Sequence, residues 1–288
     1  MDRKKGILSM ILASTSFAMM SAMVKLSGGA VPISQQLFFR NLMIGIFAFF
    51  TMREEKISFK PSPGSRRDLF FRSFFGLCGM ICVFYANRNL KLGDAQILQK
   101  TAPVFITLFS TLFLKEDLTL QKILSLVLAF AGALVIIKPD GHYALFPFLV
   151  GLTGAMMAGL AYTFLRRLRN ENGFRIIFYF AVFSSIVLLP PMIYSFEPLS
   201  LKNWGLLILI GLFAGSGQFF VTRAYASAPA SEVSIFDYTG VIVAPLVGGI
   251  LFGERITTRM LFGMFLVIAS GYIAYYFNTR RKPDHPPL

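Results

Sequence analysis

Long apolar runs separated by short polar gaps dominate the pattern of this 288-residue chain. Most runs are close to the ~20 residues that a helix needs to cross ~30 Å of hydrocarbon. Their apolar residues lack the period-2 alternation of a membrane barrel. Backbone polar groups in lipid must bond within their own segment, so the runs predict helices. The pattern predicts ten transmembrane helices, at residues 6–24, 33–52, 69–86, 95–114, 123–137, 145–165, 176–194, 204–222, 233–252 and 261–277.

Composition supports this class, since 15% of residues are charged and 55% are hydrophobic, against about 25% charged in soluble domains. The net charge of +14 invites a nucleic-acid interpretation, but the basic residues form no single domain or stripe. Gaps on the side of the amino terminus hold 18 Lys and Arg, against seven on the opposite side. The positive-inside rule therefore predicts a multi-pass protein of the cytoplasmic membrane with both termini cytoplasmic.

The first run follows three basic residues, as a signal peptide would. Its length and the short Gly-rich turn to the second run favour a retained helix over a cleaved signal. The longest gap, residues 53–68, is too short for a soluble catalytic domain. We find no metal motif, phosphate loop or catalytic constellation, and Cys78 and Cys82 are typical of buried small hydrophobes. The sequence therefore predicts neither an enzyme nor a cofactor or nucleic-acid partner.

An internal repeat appears when the sequence is shifted by 138 residues, and the match needs no gap over about 45 residues from the start of the fourth and ninth spans. An odd number of spans in each copy inverts the second copy in the membrane, as in many secondary transporters. We therefore expect two five-helix repeats, at 6–138 and 145–277, followed by a polar tail at 278–288. The matched pairs include Asp94 with Glu232, Ile97 with Ile235, Glu116 with Glu254 and Thr119 with Thr257.

Similar short segments occur in both copies. They are Gly93-Asp94-Ala95, Pro103-Val104-Phe105 and Phe113-Leu114-Lys115-Glu116 in the first copy, and Ala230-Ser231-Glu232, Phe236-Asp237-Tyr238 and Phe252-Gly253-Glu254 in the second. These segments resemble the EamA-type family of the drug/metabolite transporter superfamily, and the resemblance covers essentially the whole chain. It implies ten transmembrane helices in two EamA repeats and alternating-access transport of small organic molecules, without specifying the substrate.

A polar face on the fourth span carries Gln96, Gln99 and Lys100 at helical spacing. The shift of 138 residues gives the ninth span a matching face with Asp237 and Tyr238. A charge in mid-membrane is costly, so it should face protein or water rather than lipid. We therefore predict that the two faces meet in a substrate-binding cavity between the repeats.

Further candidates lie on other spans. Pro103 and Pro245 indicate a broken or bendable helix along the path, or else a tolerated kink. Arg40, which topology does not explain, is a binding candidate, against a structural pair or snorkelling to an interface. The remaining substrate-binding candidates are Gln36, Gln218 and Tyr85, for which cavity and packing roles both stay open.

Small residues spaced by four mark helix packing in the first place, with a homodimer contact as the alternative. They are Ser125, Ala129 and Ala133 on the fifth span, and Gly211 and Gly215 on the eighth. Two acidic residues that follow spans, Glu116 and Glu254, are open between interfacial and gating roles.

The function predicted from these residues is secondary transport of a small polar or zwitterionic, amino-acid-like metabolite. Lys100 would take its carboxylate and Asp237 its amine. The two charges could instead only neutralise each other. Proton coupling is a further hypothesis, with Asp237 as first candidate and Glu232 as second, because a buried carboxylate can cycle its proton. A membrane scaffold or sensor that moves nothing is the alternative class.

Overall fold

The computed structural model describes residues 3–114, 120–136, 145–168, 170–227 and 234–280. Within these ranges the chain is helical and contains no strand. Two short 3-10 turns, Gly28–Ala30 and Ser234–Tyr238, accompany the helices. The helices are α1 (Arg3–Ser27), α2 (Ile33–Glu54), α3 (Arg66–Asn89), α4 (Leu92–Gln99), α5 (Ala102–Leu114), α6 (Leu120–Ile136), α7 (Leu145–Arg167), α8 (Gly173–Tyr194), α9 (Leu201–Ser227), α10 (Thr239–Phe252) and α11 (Thr258–Arg280).

Six of the described helices are long and apolar enough to cross a membrane. Large apolar side chains such as Phe50, Ile186 and Ile250 point outward from them and from α10, with 65%, 66% and 82% of their surface exposed. Exposed apolar surface on this scale needs lipid rather than water around it. The chain is therefore an integral, multi-pass membrane protein. The six spans are Arg3–Ala30, Ile33–Glu54, Arg66–Asn89, Leu145–Leu165, Gly173–Tyr194 and Leu201–Ala224.

The fourth and ninth predicted spans are not continuous α-helices, which corrects the sequence interpretation. The fourth is divided between α4 and α5, with the break at Lys100 and Thr101. Pro103 explains this break, because it has no N–H to donate to the carbonyl of Gln99 and restricts the residue before it. In the ninth span, the 3-10 turn Ser234–Tyr238 precedes α10.

Pro245, by contrast, does not break its helix. Helix α10 continues through Pro245, which is buried there. A Cβ atom on Gly93, in the first turn of α4, would lie 2.9 Å from Pro245 Cγ. The ring therefore packs against the α4 backbone, and α10 tolerates the proline as a packing residue.

Helices pack mainly in four pairs: α1 with α9, α3 with α7, α2 with α8, and α6 with α11. The α2–α8 pair is antiparallel, because Ser34 Oγ lies 2.7 Å from Ser195 Oγ while Gly45 faces Ala181 further along. The largest buried cluster is formed mainly by residues of α1, α2, α3, α8 and α9, with Leu92 of α4 and Ala244 of α10, and includes Phe84 and Ile210. The bundle core thus lies between helices drawn from both halves of the chain.

A carboxylate fixes the loop between α2 and α3 to the turn between α7 and α8. Glu171 accepts hydrogen bonds from Ser62 N–H and Ser65 Oγ, both at 2.6 Å, and from Arg175 Nη1 at 2.5 Å. Burial works to raise the pKa of Glu171, but these hydrogen bonds outweigh it and lower the pKa below its ordinary value. We refer to Glu171 and these three donors as the loop clasp.

The loop clasp makes stability depend on acid pH. A carboxyl with a lowered folded-state pKa contributes stability that is complete above its ordinary pKa of about 4.5 and is lost as pH falls through the folded value. We expect Glu171→Gln to lower the free energy of unfolding at pH 7 by about 1–3 kcal/mol, and to flatten the acid-side fall of the unfolding midpoint. Glu54→Gln, at the exposed end of α2, is the matched control. A Glu171→Gln curve that overlays the wild-type curve would contradict this role.

Candidate functional site

An ion pair joins the two helix breaks. Lys100 follows the last residue of α4, and Asp237 lies in the 3-10 turn that leads into α10. Lys100 Nζ donates to Asp237 Oδ2. The Lys100 side chain is 14% exposed and that of Asp237 is 39% exposed, so the carboxylate remains accessible to solvent or solute. The structure therefore brings together the base and the acid of the two polar faces that the 138-residue shift matches.

Helix ends favour both charges of this pair. Lys100 stands at the carboxyl end of α4, where the helix dipole favours a cation, and Asp237 stands near the amino end of α10, where it favours an anion. Each stabilisation is typically about 0.3–1 kcal/mol. The helix breaks thus make two charges inside the bundle less costly than they would be on continuous helices.

The Asp237 turn is held by α1. Ser14 Oγ donates to the Asp237 carbonyl and accepts from Gly240 N–H at 2.8 Å, so it supports both sides of the helix break. Lys100 Nζ lies 5.9 Å from the centre of the Tyr238 ring, within the range of a cation–π contact. Tyr238 in turn packs against Gly271, where even a Cβ atom would lie 2.3 Å from the ring.

An amide network continues from the pair along α4. Ser21 Oγ accepts from Gln96 Nε2 and Asn87 Nδ2, each at 3.1 Å. Asn87 Oδ1 accepts from Gln99 Nε2 at 3.3 Å. The structure therefore brings two predicted glutamines together with Ser21 of α1 and Asn87 of α3, next to the ion pair.

The other residues predicted for the site are not in contact with the ion pair or lie outside the described structure. Gln36 is buried and donates to Ser27 Oγ at 2.6 Å and to the Val31 carbonyl, so it fixes the turn between α1 and α2. Tyr85 meets the edge of Phe146, with ring centres 5.8 Å apart. Gln218 is half-buried on α9. Glu116, Glu232 and the side chains of Pro103, Ser125, Ala129 and Ala133 lie outside the described part of the structure.

Arg40 is fully buried, which excludes snorkelling to an interface. Its Nη1 donates to Asn41 Oδ1 at 2.8 Å, while Nε and Nη2 have no hydrogen-bond partner among the described residues. No acidic side chain of the described chain pairs with it.

Sequence reasoning missed Ser14, Ser21 and Asn87. The two serines are seven residues apart and so share one face of α1, which is the available sequence signal. Serines are common in membrane helices as packing residues, and this signal is therefore weak.

A second buried ion pair lies at the end of the bundle where α1 ends and α4 begins, here named the Lys25 face. Lys25 Nζ donates to Glu254 Oε1 and, at 2.6 Å, to the Leu90 carbonyl. Glu254 Oε2 accepts from Leu92 N–H at 2.9 Å, at the amino end of α4. Gly248 leaves the room for this carboxylate, because a Cβ there would lie 2.5 Å from Oε2. Glu254 thus links α1, α4 and the end of α10.

We expect the Lys25–Glu254 pair to be strongly coupled, because both side chains are mostly buried, at 18% and 9% exposure. A double-mutant cycle with Lys25→Met and Glu254→Gln, followed by thermal unfolding, should give a coupling energy of about 1–3 kcal/mol. The matched control is the Arg167–Asp68 pair, at 3.2 Å, where Arg167 is 49% exposed and the coupling should stay below ~1 kcal/mol. Equal coupling in both cycles would contradict this account of the Lys25 face.

The profile of the EamA-like transporter family matches this chain twice, over residues 4–138 and 145–276. The chain belongs to that family. It is 31% identical over 274 residues to the pseudopaline exporter CntI of Pseudomonas aeruginosa, covering 93% of this chain and 94% of that protein. It is 29% identical over 198 residues to the riboflavin transporter of Brucella anthropi, covering 65% and 68% of the two chains.

Other relatives extend the family to animals. Mouse solute carrier family 35 member G1 is 28% identical over 269 residues, with 83% of this chain and 69% of that protein covered. A solved crystal structure superposes with a TM-score of 0.64 at 16% identity, over 97% of this chain and 99% of that one, which supports the fold alone. As a member of the EamA-like family, the chain is a membrane transport protein rather than an enzyme, with a small-molecule solute and the lipid bilayer as partners.

Proposed function

We propose that this protein is a secondary active transporter that moves a small polar or zwitterionic, amino-acid-like metabolite across the cytoplasmic membrane by alternating access, with both termini cytoplasmic. The observation that carries the proposal is the Lys100–Asp237 ion pair at the two helix breaks. In transporters, discontinuous helices commonly form the solute and ion sites near the midplane. Here the same breaks carry a base and an acid that match the two ends of a zwitterion.

An inverted-repeat architecture is part of this proposal. Thr101 Oγ1 donates to the Leu98 carbonyl at 2.6 Å, and Thr239 Oγ1 donates to the Phe236 carbonyl at the same distance. Both threonines directly follow the helix break, and the shift of 138 residues matches them. The packing pairs support the same idea, because exchanging the two five-helix halves converts α1–α9 into α7–α3 and α2–α9 into α8–α3, which all pack.

The chemistry of the site supports a zwitterion as solute. An incoming carboxylate can replace Asp237 as the partner of Lys100, while an incoming ammonium takes the released Asp237. Charge-assisted hydrogen bonds of this kind are the stronger ones in proteins. Gln96, Gln99 and Asn87 add amide groups beside the pair. In the empty site the two charges neutralise each other, so the ion pair is the resting state of the binding site.

Proton coupling is a further part of the proposal. When a solute carboxylate binds Lys100, Asp237 loses its counter-charge and a proton can take that place. We expect wild-type flux in proteoliposomes to respond to an imposed pH gradient. Flux that ignores the gradient would restrict the mechanism to exchange or facilitated diffusion.

The Lys25 face provides the gate in this scheme. Glu254 and Lys25 hold α1, α4 and the end of α10 together at one end of the bundle, and α4 leads from there to Lys100. Breaking this contact would let α4 move and open the ion pair to that side. A homodimer through the small-residue surface of α9 stays a prediction, and Gly215, unlike Gly211, faces open space there.

The experiment combines binding and flux. Purified protein is screened by thermal unfolding against the standard amino acids and their N-alkylated derivatives, and the stabilising compounds are then tested for uptake into sealed proteoliposomes. We expect at least one to stabilise the protein and cross the membrane. A compound that binds through Lys100 and Asp237 but never crosses would instead identify a non-transporting sensor.

A further inference from the structure

Two arginines lie close together inside the bundle without any acidic partner among the described residues. Arg40 of α2 has no exposed surface, and Arg72 of α3 is partly buried. The two side chains are close enough for their positive charges to repel each other. Burying unpaired charge is costly, and buried charges in proteins are normally paired or hydrogen-bonded. This arrangement therefore needs an explanation that the Lys100–Asp237 pair does not provide.

Several hydrogen-bond donors of Arg40, Arg72 and the neighbouring Asn41 have no acceptor in the described part of the bundle. Arg40 Nε, Arg40 Nη2, Arg72 Nε and Asn41 Nδ2 are all buried and have no partner within the described chain. Each of these atoms can donate and none can accept. These donors outnumber the one free buried acceptor that the structure describes nearby on α2, Gln36 Oε1. An excess of donors is complementary to an anion, and guanidinium groups fit a carboxylate in a bidentate manner.

The shape of the surrounding helices also fits a binding pocket. Arg72 folds back over Gly76, where a Cβ atom would lie only 2.4 Å from Nη1, so glycine is needed for this conformation. Its guanidinium carbon lies 4.9 Å from the Phe180 ring centre and 6.0 Å from that of Tyr162. The two rings hold the guanidinium group from the side but leave Nε free.

Tyr162 connects this arginine pair to the ion pair. Its ring contacts Arg72, and its hydroxyl lies within the influence of the Asp237 charge. Tyr162 exposes 47% of its surface. A single small molecule can therefore extend along Tyr162 from Asp237 to Arg72.

We infer that Arg40 and Arg72, with Asn41, form a second anion subsite that takes an additional carboxylate of the solute. This rests on the proposed function of the Lys100–Asp237 site and narrows its substrate class to amino-acid-like compounds with at least two carboxylates. One carboxylate binds Lys100, the amine binds Asp237, and the further carboxylate binds the arginine pair.

The first test compares matched ligands by isothermal titration calorimetry. The probes are aspartate, glutamate and aminoadipate, each with the α-amino monocarboxylate of the same chain length, and inorganic chloride and sulfate. We expect one dicarboxylate to bind at least about tenfold more tightly than its monocarboxylate, which is ~1.4 kcal/mol. Arg40→Gln and Arg72→Gln should each reduce that ratio to about one.

Each other outcome of this test overturns the inference in a recognisable way. A wild-type ratio of about one, a ratio that both arginine variants retain, or no binding of any probe removes the second carboxylate subsite. Arginine-dependent binding of chloride or sulfate without a dicarboxylate preference identifies a simple inorganic anion site instead. Monocarboxylates that are transported and lose flux in Asp237→Asn would leave the proposed function standing while the inference fails.

A second measurement separates ligand binding from a structural role. In the ligand-free protein an unpaired buried guanidinium group is unfavourable, so Arg40→Met should leave the unfolding midpoint unchanged or raise it. Arg88→Met is the matched control, because Arg88 donates to the Val31 carbonyl and should lower the midpoint when removed. If the unfolding midpoint falls as far in Arg40→Met as in Arg88→Met, Arg40 stabilises the fold and the proposed subsite is wrong.

Discussion

Asp237→Asn should abolish solute flux in proteoliposomes while the protein still folds and inserts. The substitution keeps the shape of the side chain but removes the charge that pairs with Lys100 and would receive the solute amine. Lys100, whose side chain is 14% exposed, is then left without its counter-charge, at a cost of up to about 3 kcal/mol because the pair is partly open to solvent. At ~1.4 kcal/mol per tenfold change, flux should fall by up to about a hundredfold.

Matched variants make this result interpretable. Lys100→Met should lose flux as Asp237→Asn does, because either change leaves one charge without its partner. Asp68→Asn removes an acid that pairs with the exposed Arg167, and its flux should stay close to the wild-type value. Wild-type flux in both Lys100→Met and Asp237→Asn would exclude this pair from the transport mechanism.

We expect Gly159→Ala to cause a large loss of stability, because Gly159 lies at a close contact between α5 and α7. A Cβ atom there would lie 2.4 Å from Phe105 Cβ and 3.0 Å from the Phe105 carbonyl carbon, so α5 and α7 could not keep their present contact. Gly159→Ala should cost about 3 kcal/mol and lower the unfolding midpoint by roughly 10 °C.

Gly215→Ala on α9 is the matched control, because it makes the same chemical change where nothing lies within 4 Å of the new atom. Alanine is also the better helix former, so this variant should be neutral or slightly stabilising. Equal unfolding midpoints for the two variants would contradict the close α5–α7 contact.

Periodicity and the internal repeat together predicted the Lys100–Asp237 contact, because a polar face in lipid must find a polar partner. The helix break before α5 could be anticipated from Pro103, whose missing N–H is visible in the sequence. The break before α10 could not, since the proline of that span, Pro245, lies inside an intact helix. A 3-10 turn without proline leaves no such mark in the sequence.

Contacts between helices that are far apart in the sequence could not be predicted, for a similar reason. Ser14 and Ser21 have ordinary packing alternatives in membrane helices, and only the fold shows that they meet Asp237 and Gln96. The sequence indicated Arg40 as a charge that topology does not explain, and the structure buries this side chain. Its neighbour Arg72 comes from another helix, and no spacing along the chain relates the two residues.

Uptake into proteoliposomes tests most directly whether the ion pair at the two helix breaks is the solute site of a transporter. A compound that stabilises the purified protein is labelled, and its uptake is measured into sealed proteoliposomes that contain wild-type or Asp237→Asn protein. If the ion pair is the solute site, we expect saturable uptake with the wild type. With Asp237→Asn, uptake should be no greater than that of protein-free liposomes. Equal uptake by the two proteins would contradict this role of the ion pair.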